Sequence, residues 1–249
     1  MDRRDFIGSV SLALFAQIIG TRHLLAERVT RSVGEWVDAQ QHIAKSLKAG
    51  TMTGAAWQYN VEELARQIEL EELLRAINFA KLERDFKFTS DGGTKQFVQL
   101  PRPDGTKLVY GAAIFGLEKN KAITPHGHRH MASAHMVISG SLHVRNYDRI
   151  ADEPQHLVIR PTVDETIGVG AVSTMSSDRN NIHWFTAKTD RAFTLDVIVD
   201  SLTPNAPGYK IDLVDPRGGE KLGNGDIRAR LIEWEESVRL YASEPASKP

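Results

Sequence analysis

The chain has no cysteine. Disulfides, zinc–thiolate sites and a cysteine nucleophile are therefore excluded, and any metal must be held by nitrogen or oxygen. There is also no excess of one charge: 31 Lys and Arg face 32 Asp and Glu, a formal net charge of -1. That balance lacks the basic footprint of a nucleic-acid binder and gives no preference for an anionic surface. No apolar run reaches the roughly 20 residues that span a bilayer. The longest candidate, Phe6 to Gly20, has 15. Internal repeats and low-complexity linkers are missing too. What remains is an ordinary globular composition, 41% hydrophobic and 25% charged over 249 residues, enough for one sizeable core.

Against this background one residue type is concentrated. Five of the nine histidines fall between His126 and His143, in HGHRHMASAHMVISGSLHVRNYD. The stretch reads as two strands joined at a Ser139-Gly140 turn. Alternate side chains of a strand share a face, so His126 and His128 point into one space, as metal ligation requires. His130 has the same parity and is a candidate fourth ligand or neighbouring base. His135 has the opposite parity. A third ligand must come from a distant strand, and His183, in NNIHWFTA, is the best candidate. His23, His42 and His156 have no partners in sequence.

The rest of the chain divides around this stretch. Residues 1–26 begin MDRRDFIG. Arg3-Arg4 followed by Asp5-Phe6-Ile7 and an apolar segment resembles a bacterial twin-arginine export signal. It implies a periplasmic protein, cut near Ala26 or tethered to the membrane by an uncut signal, with no other integral membrane segment. Residues 27–90 form a helical extension. Val33, Trp36, Val37, Ile43 and Leu47 share one helical face up to Gly50, and a second helical stretch from Thr53 to Phe86 breaks near Glu69. This extension either lids the sheet region or packs on its wall. Ser90-Asp91-Gly92-Gly93 ends it. Over residues 91–226, short runs rich in Val, Ile, Phe and Thr alternate with turns, the pattern of a β-sandwich or barrel. Residues 227–249 read as a C-terminal helix (IRARLIEWEESVRLYA) and a disordered tail.

Two motifs, taken together, carry a family resemblance. The first is His126-x-His128, Met131, Gly140 and a strand ending in Tyr147-Asp148. The second is Asn181-Ile182-His183-Trp184-Phe185-Thr186-Ala187, then Leu195-Asp196-Val197. Their order and spacing resemble the thiol dioxygenases of the cupin superfamily, the plant cysteine oxidase and 2-aminoethanethiol dioxygenase family, over roughly residues 96–215. The resemblance implies a mainly β fold, a cupin double-stranded β-helix or jelly-roll barrel, here with an N-terminal helical extension and a C-terminal helix. It implies one Fe(II) held by His126, His128 and His183, and an oxygenase that adds O2 to a thiol, a small aminothiol or an N-terminal cysteine, to give a sulfinic acid.

General cupins place a glutamate ligand shortly after His-x-His. Ser133 occupies that position here, and nothing acidic lies between His126 and Gly140. A three-imidazole site is therefore expected instead of a two-His-one-carboxylate triad. Asp196 matches an acidic family position. It is the candidate catalytic residue, able to bind a substrate or orient an imidazole, unless it is a strand-end carboxylate facing solvent. The loop Pro204, Pro207, Tyr209 matches the family only loosely. Two alternatives stay open: a cupin enzyme using Mn, Ni, Zn or Fe on a non-thiol small molecule, and a non-catalytic cupin that binds a metal or small ligand.

Overall fold

The strand-forming runs after Gly93 sort into two sheets. A computed structural model describes residues 30–102, 105–203 and 210–244. The export-signal segment and the Pro204–Tyr209 loop lie outside these residues. Four helices come first: α1 (Val33–Lys48), α2 (Gly54–Ala65), α3 (Leu70–Ala76) and α4 (Phe79–Asp85). Eleven strands follow: β1 (Thr94–Phe97), β2 (Gly111–Glu118), β3 (Ala122–Arg129), β4 (Ala132–Ser139), β5 (Ser141–Asp152), β6 (His156–Gly168), β7 (Val172–Met175), β8 (Ile182–Ala187), β9 (Arg191–Val199), β10 (Lys210–Lys221) and β11 (Ile227–Leu231). A short helix, α5 (Trp234–Tyr241), ends the described chain. Together these elements make one unit, which begins at Arg31.

One sheet runs β1-β2-β9-β4-β7, and the other closes on itself as β10-β11-β6-β5-β8-β3. Their central orders, β2-β9-β4-β7 and β3-β8-β5-β6, are those of an eight-stranded jelly roll. The expected double-stranded β-helix with helices at both ends is thus the observed architecture. Leu117, Val137 and Ala192 from the first sheet pack against Ile123, Leu142, Val144 and Phe185 from the second. The space between the sheets is the molecule's interior.

The helices pack on the outer face of the five-stranded sheet. Ala132, Ala134, Met136 and Ile138 of β4, with Phe193, Leu195, Val197 and Val199 of β9, meet Trp36, Val37, Trp57, Val61 and Leu73. The alternate residues of the same strands, among them Ser133, His135 and Asp196, face inward. Both faces of β4 and β9 are covered, so these strands read in sequence as near-continuous apolar runs. Ser32 caps α1 in a reciprocal capping box with Glu35, and Gly50, at φ 71°, ends it. The break near Glu69 is real: α2 stops at Ala65, and Glu69 precedes the first residue of α3.

Two expectations are corrected. The His126–Asp148 stretch contains three strands, not two. His130 adopts φ 61°, a left-handed conformation that ends β3 and turns the chain into β4. The second correction is at Ile227–Leu231, read from sequence as the start of the last helix. It is a strand, lying between β10 and β6 and closing the barrel. Its alternation explains this: Ala229 is buried with Leu157, Ile159 and Val214, while Arg228 and Arg230 reach Glu153 and Glu236 at 2.6 and 2.8 Å. The helix proper is only Trp234–Tyr241.

Candidate metal centre

β3 and β8 are antiparallel neighbours, with His126 directly opposite His183. His128 lies two residues along β3 on the same face. The ring centroids are 4.7 Å apart for His126 and His128, 4.2 Å for His126 and His183, and 5.4 Å for His128 and His183. One ring nitrogen from each lies within 4.8 Å of the others. The three imidazoles expected from sequence are therefore brought together, and the cluster could hold a metal ion.

Two local features aim these rings. Gly127 is needed between the histidines because a Cβ there would stand 2.7 Å from Asn181 Oδ1. Asn181 Nδ2 in turn donates to the His128 and Ser176 carbonyls at 2.8 and 3.0 Å, tying β3 to the loop that leads into β8. Asn181 and Gly127 thus support the ligands without touching the ion's place.

The ring chemistry fits a metal. His126 Nδ1 lies 2.7 Å from the Thr124 carbonyl oxygen, which can only accept. Nδ1 therefore carries the proton, and Nε2 keeps its lone pair. Burial pushes the His126 pKa down to about 4 and holds His128 and His183 well below the usual histidine range. Neutral imidazoles are what a cation needs at neutral pH. His183 is 2% exposed and its Nδ1 has no hydrogen-bond partner, so this buried ring is short of a polar contact.

The cluster lines a cavity of about 280 Å³ whose walls include Phe115, Ile123, Met131 and Ile198. Ser133, His135 and Asp196 line it as well. Asp196 is fully buried in the middle of β9 and faces inward, so the solvent-facing alternative does not hold. It orients an imidazole, but that of His135: Asp196 Oδ2 is 2.7 Å from His135 Nδ1. Sequence parity had set His135 aside. The turn at His130 restarts the register, and β4 carries Ser133 and His135 into the cavity from the opposite sheet. The i, i+2 spacing of Ser133 and His135 in an apolar strand was the available signal.

The remaining histidines stand apart. His130 is outside the cluster and meets Thr203 Oγ1 at 2.7 Å, which removes it as a fourth ligand. His143 pairs with Asp164 on the barrel's outer side. His42 is exposed on α1.

No protein-family model matches the chain, and no curated protein does. Solved structures do. Procruciferin from Brassica napus matches at 12% identity over 51% of this chain, with a TM-score of 0.37. The match spans only 28% of the procruciferin chain. A cupin superfamily protein from Desulfitobacterium hafniense matches at 8% identity over 46% of this chain and 83% of its own, with a TM-score of 0.31. An oxalate oxidase matches at 17% identity over 49% of this chain and 55% of its own, with a TM-score of 0.34. The chain itself is a jelly-roll barrel whose interior holds three converging, neutral imidazoles in an arrangement compatible with a metal ion.

Proposed function

We propose that the chain is a non-haem Fe(II) oxygenase that adds O2 to a small thiol, giving a sulfinic acid. The observation that carries this reading is the all-imidazole cluster. The group within 4.8 Å contains no carboxylate, and Ser133 stands where a cupin glutamate would be. Three neutral ligands leave a dipositive ion its full charge, which favours an anionic thiolate over neutral competitors. Fe(II), when bound, supplies the electron transfer that lets sulfur and O2 combine at one place. Both oxygen atoms end on sulfur, and the electrons that O2 gains are those that sulfur gives up.

The chain's own residues do the rest. His126, His128 and His183 hold the ion, and Thr124 fixes the His126 ring. Asp196 Oδ1 is buried without a partner and lines the cavity, where it accepts a hydrogen bond from the substrate. Phe115, Ile123, Met131 and Ile198 exclude water from the reacting atoms. The partners are thus a small molecule and O2. Arg3-Arg4 would direct the folded, loaded protein to the periplasm.

The test is anaerobic purification with metal quantitation, followed by oxygen uptake with cysteine, cysteamine, 3-mercaptopropionate and a Cys-led peptide. One iron per chain and thiol-dependent uptake, with the sulfinate identified by mass, are expected. Stoichiometric metal without thiol-dependent uptake would replace this reading with another metal-dependent reaction, on a non-thiol molecule, using Fe, Mn, Ni or Zn. Failure to load any metal would leave a non-catalytic ligand-binding barrel.

A further inference from the structure

Asp196, His135 and Ser133 form a continuous buried chain of hydrogen bonds. Asp196 Oδ2 lies 2.7 Å from His135 Nδ1, and His135 Nε2 lies 2.9 Å from Ser133 Oγ. The three residues are 0%, 5% and 2% exposed, so bulk solvent screens these contacts little. The His135 ring packs edge-to-face with Phe185 and Phe115, with centroids at 5.0 and 6.4 Å, and lies 5.1 Å from the His183 ring.

The direction of this chain follows from what each atom can do. A carboxylate only accepts, so His135 Nδ1 carries the proton and donates to Asp196. When the ring is uncharged, Nε2 keeps a lone pair, which takes the single Ser133 proton. Ser133 Oγ has no proton left to give and offers only lone pairs to the cavity that it lines. Asp196 Oδ1, on the same cavity, is a second buried acceptor with no partner. The network thus presents two acceptors, Ser133 Oγ and Asp196 Oδ1, to the cavity that the three-imidazole cluster also lines.

We infer that His135 is a positioning residue and Ser133 a specificity residue: His135 holds Ser133 Oγ as a pure acceptor, so that the cavity selects ligands presenting an O–H or N–H there over ligands presenting a carboxylate. The inference rests on the proposal that a small molecule occupies this cavity beside a metal, and not on that molecule being a thiol. Neither residue belongs to the motifs through which the chain resembles thiol dioxygenases.

Two measurements test it on the full-length protein. In the metal-free form, nitrogen-15 spectra of the histidine side chains should show His135 protonated at Nδ1 and bare at Nε2. A proton on Nε2, in the other tautomer or in a doubly protonated ring, would overturn the inference. In the metal-loaded form, calorimetry compares 2-mercaptoethanol with mercaptoacetate, and 4-(hydroxymethyl)imidazole with imidazole-4-carboxylate. Ser133→Ala should weaken each hydroxyl ligand about three- to tenfold, the loss of one hydrogen bond, while leaving its carboxylate counterpart and the metal content unchanged. Ser133→Thr should restore the selectivity. His135→Gln, which can donate to Asp196 and accept from Ser133, should keep it, and His135→Phe should lose it. An unchanged ratio in Ser133→Ala, or metal loss in that variant, sinks the inference. If His135→Phe does not fold, the Ser133 pair decides. An effect in the imidazole pair with no thiol binding supports this inference and removes the thiol reading alone.

Discussion

Burial sets how the histidines of the centre respond to acid. An unfolded histidine titrates near about 6.5, whereas burial lowers His126 to about 4 and keeps His128 and His183 well below their usual range. Below about pH 6.5 the unfolded chain binds protons that the folded chain refuses, so the metal-free protein loses stability as pH falls from there toward 4. Above that window both states are neutral and these groups add no pH dependence. Denaturant unfolding across this range should show the slope, and His183→Phe should make it shallower by up to about 1.4 kcal/mol per pH unit. An unaltered slope would mean that His183 is protonated in the fold. At the same scale, His183→Ala should abolish stoichiometric metal, measured by elemental analysis, whereas Ser133→Ala should retain it. The ligands were legible because the strand period puts His126 and His128 on one face and a second motif marks His183. Asp196 was legible as a position but not as a partner of His135. That pairing runs between β4 and β9, far apart in sequence and fixed only by sheet register.

Elements were legible where one face is apolar, and less so where pairing decides. The capped helix α1, with its single apolar face, could be read directly. Ile227–Leu231 could not. Its length suits a strand or one helical turn, and its helical neighbour Trp234–Tyr241 extends the apolar pattern. Only the open edges of β10 and β6 settle the matter. The turn at His130 was hidden for a similar reason: a left-handed non-glycine residue leaves no composition signal. A close joint beside the candidate ligands is at Gly127, where a methyl group would press on Asn181 Oδ1 at 2.7 Å and on Ile182 Cγ1 at 3.2 Å. Gly127→Ala should therefore push β3 from the β7–β8 loop, cost about 1–3 kcal/mol of stability and weaken metal binding. Denaturant unfolding and a metal titration would check this together. Full stability and full affinity would show that β3 does not depend on this close approach.

At the scale of the whole molecule, the centre depends on a wall that it never touches. The helices cover the outer face of β4 and β9, whose inner face carries Ser133, His135 and Asp196. Trp57 is fully buried there, and Trp57→Ala should cost about 3–5 kcal/mol without removing a ligand. The same wall bears on the proposed export. The twin-arginine route carries folded proteins, and residues 1–29, which lie outside the described structure, contain the pair Arg3-Arg4 ahead of an apolar run. If the proposed export holds, a buried three-imidazole site would be most simply loaded before translocation, in the compartment where folding occurs. Two variants separate signal from cargo. Arg3→Lys with Arg4→Lys leaves the folded unit intact, so the protein should accumulate, metal-loaded, in the cytoplasmic fraction. Trp57→Ala keeps the signal but destabilises the cargo, so its periplasmic yield should fall in step with its stability. Cell fractionation with immunodetection reads both. Normal periplasmic accumulation of the double-lysine variant would remove the export reading, whereas loss of the Trp57→Ala variant alone would show only that the wall is needed for folding.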